Sequence, residues 1–390
     1  MPRTPLHLSR RSAVGALSAV PVAALLSGCQ FFTGVPDVIK IGVAQPLTGG
    51  LGPLGTDLLN GVKLAVDQLN QEGFKVAGKK VTLEVVAVDD KANPEEGKKV
   101  AQQLVDAGVV AVIGHLNSGV SIPTAPIYAE KGIAQLAIST NPKFTELGLP
   151  TTLRLVANDN MQARAVGSYA ASNIKGTKFA VVDDGTPYGK GLADSAAKQL
   201  DGKKTIALRQ SFDDKTKDFA ALADKLKADG IEVVLSTLND FQVIALIEAL
   251  KKIDYNKAIT LMGTDTLKTT EMLKYAAEVA QMVCTSPVLE PSEFAGGALY
   301  LSAYQAAFKI APAYGGHYAY DATYAITAAI RRAESANPRK VSETLRSLDA
   351  FAPVTGSLKW DATGEPRYAT ISVYGVASGK WTSIVRSDKW

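Results

Sequence analysis

The chain has 390 residues, 46% of them hydrophobic and 21% charged, which is ordinary globular material for two or three domains. Its formal charge is +4, yet Arg3, Arg10 and Arg11 all fall in the first 28 residues, and without them the balance drops to +1. A near-neutral chain with no basic block gives no electrostatic footing for nucleic acid, and no nucleic-acid partner is expected. The three arginines precede a small, apolar stretch over 12–26 that is short for a membrane span and ends in Leu26-Ser27-Gly28-Cys29. Charge, apolar run, small residues and cysteine in that order resemble a bacterial lipobox. Residues 1–28 therefore read as a signal peptide, Cys29 as the lipid-bearing first residue of the mature chain, and 29–37 as a tether. Ser9-Arg10-Arg11 weakly resembles a twin-arginine export signal, because Ala13 and Val14 stand where bulkier residues are favoured. With Cys29 acylated, Cys284 is left unpaired in an apolar run and reads as a small buried hydrophobe.

Beyond the tether, apolar periodicity predicts strands over 38–44, 81–88, 109–113 and 133–138. Between them lie helices over 58–71, 94–107 and 124–131, with a Gly/Pro-rich loop over 45–56. The pattern then restarts. Helices over 161–173, 188–200, 219–228 and 241–251 alternate with strands over 178–183, 205–210, 233–237 and 259–263. Helices over 292–310, 318–333 and 341–347 and late strands over 356–360 and 371–374 follow. Alternation of this kind marks mostly parallel sheets covered by helices on both faces, and its length favours two doubly wound α/β lobes over one sheet.

Within the first block, 109–121 reads VVAVIGHLNSGVS: a buried strand, a Gly/Ser turn and a helix start. Ligands bind at the carboxyl ends of strands in open α/β sheets, and free N–H groups there suit an anion. One reading is a carboxylate cradle centred on Ser118. The other is an ordinary turn in which Ser118 or Ser121 merely caps the helix. Asp183, Asn239 and Asp265 end strands of the second block. If both sets face one cleft, hydroxyls and N–H groups meet an acid, an arrangement that suits a zwitterion.

Other chemistries are poorly supported. Gly50 to Gly55 matches G-x-G-x-x-G, but five residues separate it from Ala44, and Asp89 lies 34 beyond Gly55. A dinucleotide fingerprint wants both closer, so a flexible loop over the ligand is the better account. His115 and His317 fall in no metal-ligand pattern, and there is no G-x-S-x-G elbow. Asp89 and Asp90, neighbours on a strand, point to opposite faces and read as solvated or cap-forming acids rather than a shared-proton pair. No catalytic residue, metal or cofactor is expected, and the chain does not read as an enzyme.

The segments IKIGVAQPLTG (39–49), VAVDDKANPEEGKKVAQQLV (86–105), VIGHLNSG (112–119), DDGTPYGKGLADS (183–195), LMGTDTL (261–267) and HYAYDATYAI (317–326) resemble the branched-chain amino acid binding proteins of ABC importers. The resemblance implies the type I periplasmic binding protein fold, two lobes around a ligand cleft. One lobe would span 38–157 plus 288–368 and the other 158–287 plus 369–390. It implies Ser118 and Thr140 on the ligand carboxylate, the Ser139 carbonyl and Asp265 on the ammonium, and Tyr188 and Tyr318 as aromatic walls. Leu54 would stand where classical members carry an aromatic, giving a roomier end, with Asn239 at the cleft edge. Classical members also carry a disulfide near Ala92 and Asn117, absent here. The implied function is an extracytoplasmic solute receptor, lipid-anchored at Cys29 on the periplasmic side or cell surface. It would bind an amino acid, foremost Leu, Ile or Val, and deliver it to ABC permease subunits. An amide or other small-solute sensor lobe of the same fold is the alternative.

Overall fold

The computed structural model describes residues 34–387. The signal segment, Cys29 and most of the tether lie outside the described residues. The first sheet has five parallel strands in the order Thr82–Asp89, Val38–Gln45, Ala111–Gly114, Ala134–Ala137, Thr152–Arg154. The second has seven: Lys380–Arg386, Ser372–Ala377, Gln281–Ser286, Thr260–Gly263, Val233–Ser236, Lys178–Asp183 and Thr205–Ser211. Its five earlier strands in sequence are parallel, and the late hairpin 372–386 runs antiparallel to Gln281–Ser286.

Each sheet has its own core. Ile41, Val43, Ile113, Leu136 and Leu153 pack with Ile326 and Ile330 in the first lobe. Val234, Leu246, Leu261 and Cys284 pack with Tyr374 in the second. The chain crosses between sheets three times: after Arg154, after Ser286 and between Leu358 and Ser372. Among the described residues no helix is long and apolar enough to cross a membrane.

Several elements depart from the periodicity. The helix expected from 58 begins at Gly52, so the Gly/Pro-rich stretch is largely a helix N-terminus with Pro53 in its first turn. A Cβ on Gly55 would sit 2.1 Å from the Pro46 carbonyl oxygen, and one on Gly61 1.9 Å from that of Gly316. These glycines serve close backbone packing, and the second lets this helix lie against Gly316–Ala333. The helix expected from 124 starts at Ser118 despite internal Pro123 and Pro126. The Thr124 hydroxyl helps by donating to the carbonyls of Val120 and Ser121. Strands at 152–154, 281–286, 350–352 and 380–386 gave too short or too mixed a pattern to be predicted.

Candidate functional site

A cavity of about 610 Å³ opens between the carboxyl ends of the two sheets. On the first lobe, strand Ala111–Gly114 feeds helix Ser118–Glu130, with Asn117 as its extended N-cap residue. Intrahelical bonding begins with the N–H groups of Val120 and Ser121, both on the Asn117 carbonyl. The leading N–H groups of a helix have no carbonyl to reach, and here they belong to Ser118 and Gly119, which line the cavity. The Ser118 hydroxyl accepts from the Asn141 N–H at 3.2 Å, joining this turn to the Ser139-Thr140-Asn141 turn of the next strand. Ser139, Thr140, Leu51, Leu54, Leu116 and Ile138 complete this wall.

A buried guanidinium holds the second turn from behind. Arg154, 0% exposed, donates to the carbonyls of Ser139 and Asn141 and pairs with Glu365 at 3.1 Å. The Ser139 carbonyl, expected to take an ammonium hydrogen, is thus engaged by Arg154. The first turn is tied down by His115. Its Nδ1 lies 2.6 Å from Asp90 and its Nε2 3.2 Å from the Tyr128 hydroxyl, with the His115 and Asp90 side chains fully buried. Of the two readings of Asp90, solvated or cap-forming, burial removes the first. Its carboxylate also accepts from the Ala92 N–H, so it links two neighbouring strand-end turns.

From the second lobe, Asp265 enters through the short turn after Thr260–Gly263. It is buried and accepts from Gln162 (3.0 Å), Tyr188 (2.8 Å) and Tyr314 (3.1 Å). Burial raises its pKa. Asp159 lies behind Thr140 at the start of helix Asp159–Asn173, accessible to 1%. Burial, reinforced by the nearby Asp265 charge, pushes its pKa up to about 7. Asp265 lines the cavity and Asp159 lies behind it, and two adjacent buried carboxylates favour a cation on this side of the cleft. Asn239 donates to Asp184 at 3.2 Å, and both line the cavity at its edge.

Ser118, Ser139, Thr140, Asp265, Tyr188, Leu54 and Asn239 all line this one cavity. Tyr318 does not. It sits in the first turn of Gly316–Ala333, with its hydroxyl at Leu289 N–H and the Pro287 carbonyl. The aromatic that reaches the cleft is Tyr314, in the loop before that helix, and its bond to Asp265 spans the lobes. Sequence reasoning missed it, along with Asp159 and Phe241. An aromatic four residues before Tyr318 was a usable signal, but the helix boundary decides which of the two reaches the cavity. Asn141 also bridges the lobes, donating to the Pro187 carbonyl at 2.6 Å. These two bonds join the lobes across the cleft.

The chain is similar to proteins of known kind. A family model described as periplasmic binding protein matches residues 38–380. The Leu/Ile/Val-binding protein homolog 2 of Brucella abortus is 34% identical over 330 residues, 84% of this chain and 87% of the relative. The leucine-, isoleucine-, valine-, threonine- and alanine-binding protein of Pseudomonas aeruginosa is 29% identical over 92% of this chain and 95% of its own length. The fold matches a branched-chain amino acid transporter substrate binding protein of Streptococcus pneumoniae in complex with isoleucine (TM-score 0.79, 22% identity, 90% of this chain and 98% of that one). It also matches a solute binding protein of an ABC transporter from Rhodopseudomonas palustris in complex with 3,4-dihydroxybenzoic acid (TM-score 0.78, 20% identity, 90% and 97% covered). Two sheets around a cleft, a family match over most of the described residues and a relative above 30% identity agree: the chain belongs to the periplasmic binding protein family.

Proposed function

We propose that the cleft binds an α-amino acid, with Leu, Ile or Val foremost, and that the protein delivers it to the permease of an ABC importer. One observation carries this reading. The helix start at Ser118 and Gly119 faces the buried Asp265 carboxylate across a single cavity. An anion-seeking wall opposite a cation-seeking one suits a zwitterionic head group. Leu54, Leu116, Ile138 and Phe241 offer the side chain an apolar lining, which supports an aliphatic ligand. The printed names of relatives, with Leu/Ile/Val at 34% identity, support the same class. Structural neighbours also hold aromatic acids such as 3,4-dihydroxybenzoic acid, but those have no ammonium to meet Asp265. An amide sensor of the same fold is the second reading, which the Asp265–Tyr188–Tyr314 cluster equally accommodates. Anchoring through a lipid on Cys29 belongs to the same proposal and rests on the Leu26-Ser27-Gly28-Cys29 sequence.

The test is calorimetric and thermal-shift titration of the purified protein against all amino acids, their amides and benzoate. A branched-chain amino acid should stabilise it by about 2.7 kcal/mol at a hundredfold excess over Kd. Asp265→Ala should lower that affinity by about 2 kcal/mol or more, roughly thirtyfold. Stabilisation by benzoate alone, or full affinity in Asp265→Ala, would remove the zwitterion assignment.

A further inference from the structure

The cleft cavity has more room than a leucine takes. A water occupies about 30 Å³ in the liquid, so 610 Å³ has space for about twenty, and leucine's non-hydrogen atoms, each about water-sized, fill roughly half. The strand ends of the second lobe show where a longer ligand would run. Gly263, Ser236 and Val182 stand in register across three neighbouring parallel strands. Asp265 and Asp184 each follow two residues after an outer member of that row. Adjacent strands lie about 4.8 Å apart, so these two acids flank the central strand Val233–Ser236 with their backbones about 10 Å apart. Asp184 is 3% exposed and lines the cavity. It accepts from the Thr186 N–H at 3.0 Å, the Thr186 hydroxyl at 2.6 Å and the Asn239 amide at 3.2 Å. All three donors are neutral, and among the described residues no lysine, arginine or histidine pairs with it. Asp183 beside it has Arg209, and Glu96 across the cavity has Lys99 at 3.4 Å. Lys91, Lys215 and Asp214 line the same end, but both lysines are exposed, where solvent screens them. A turn needs the hydrogen bonds of Asp184, and an asparagine or serine is equally at home in one. What the fold leaves without a partner is its buried charge. Burial accordingly pushes its pKa up to about 6.

We propose that Asp184 is a second acidic subsite of the cleft, that it takes the cationic end of a long linear side chain, and that the protein binds basic α-amino acids such as lysine as well as branched-chain ones. This rests on the α-amino acid reading above and extends it to the side chain. The α-ammonium would meet Asp265 and the ε-ammonium Asp184. The methylene stem would lie against Leu54, Leu116, Ile138 and Phe241, the lining already offered to an aliphatic side chain. Long cationic side chains behave in this way, burying the stem and keeping the head among polar groups. In extended lysine the two nitrogens are about 7–8 Å apart. A charge-assisted hydrogen bond of about 2.8 Å at each end lets one molecule reach both acids. Leucine ends short of Asp184 and leaves that charge as it is.

Calorimetric titration of the purified protein with L-lysine, L-norleucine, L-2,3-diaminopropionate and L-leucine tests this. Norleucine has lysine's stem without the ε-ammonium, and diaminopropionate has a second ammonium too close to the first to reach Asp184. Lysine should bind one per chain, compete with leucine, and bind more tightly than norleucine. Diaminopropionate should be weaker than lysine by about tenfold or more. Asp184→Asn keeps the side chain's size and removes its charge. It should cost lysine about tenfold or more and leave norleucine nearly unchanged, and the norleucine titration also shows that the variant is folded. Lysine binding no tighter than norleucine in the wild type would overturn the subsite, and that comparison stands even where the variant does not fold. An equal loss of both ligands in Asp184→Asn would make the residue structural and overturn it too. Leucine binding without lysine binding would remove the subsite and leave the proposed function standing. Binding of no α-amino acid at all would remove the proposed function, and the subsite with it.

Discussion

At the scale of single residues, the cleft floor makes a pH-dependent prediction. An unfolded Asp ionises near 3.8, whereas Asp159 in the fold holds its proton up to about pH 7. The folded chain therefore binds more protons across that window, and Asp159's contribution to stability falls as pH rises through it. A bound ammonium favours the ionised carboxylate and reverses the effect. Amino acid binding at pH 6 should thus release a fraction of a proton. Calorimetry in buffers of different ionisation enthalpy reads that release, and Asp159→Asn should reduce it; buffer-independent heats in the wild type would refute it. His317 behaves oppositely. It is buried among Phe294, Tyr300 and Tyr318, and burial lowers its pKa to about 3. The folded state resists taking its proton, so stability is lost as pH falls below the free imidazole value of 6.5 toward 3. His317→Leu should flatten that part of an acid-denaturation curve. A curve of unchanged slope would assign the acid lability to other groups.

At the scale of elements, the two strand-end turns of the first lobe are each held by a buried polar tie. Arg154 ties Ser139 and Asn141, and His115–Asp90 ties the 90–92 turn to the start of Ser118–Glu130. Removing one partner of a buried pair leaves the other charge uncompensated, so Arg154→Ala should cost about 3–5 kcal/mol. Denaturant unfolding measures it, and a cost under about 1 kcal/mol would mean that the turn holds its shape without the guanidinium. His115→Phe strands the fully buried Asp90 carboxylate, so the same measurement should show a comparable cost; it should also weaken ligand binding, because Ser118 follows three residues later. These ties were not legible in the sequence. Arg154 fell in a stretch that gave no predicted element, and Asp90 read as a solvated or cap-forming acid beside Asp89. Periodicity reports which face of an element is apolar; it says nothing of which polar side chain crosses to a neighbouring turn. The turn around Ser118 itself was legible as a turn, from an apolar run broken by Gly114 and followed by small polar residues, but those residues left a ligand cradle and a plain helix cap both open. Asp265, by contrast, needed the family resemblance. A lone acid after a strand is more often a turn former, and no sequence pattern announced its buried partners Tyr188, Gln162 and Tyr314.

At the scale of the molecule, both doubly wound lobes were readable from strand–helix alternation, while the way the chain passes between them came only from the family resemblance. The second sheet depends on this. Gln281–Ser286 was seen only as an apolar run around Cys284, and Lys380–Arg386 not at all, yet the two flank Ser372–Ala377 in a seven-stranded sheet. Contacts between the lobes include Tyr314 to Asp265 and Asn141 to Pro187. The double variant Tyr314→Phe/Asn141→Ala should shift the ligand-free protein toward open forms. Small-angle scattering should then report a larger radius of gyration without ligand and the same one at saturation. Equal radii in both proteins without ligand would show that other contacts govern closure. The late hairpin has a further consequence, for how the chain is made. The second lobe's sheet cannot be completed until residues 372–386 have been synthesised, about half the chain after its first strand, Lys178–Asp183. Until then Gln281–Ser286, an interior strand of the finished sheet with Met282, Val283 and Cys284 buried, is a bare edge able to pair with other chains. Chains truncated anywhere before 372 should therefore aggregate rather than persist as half-receptors, and a premature stop near the end should be as damaging as one in the middle.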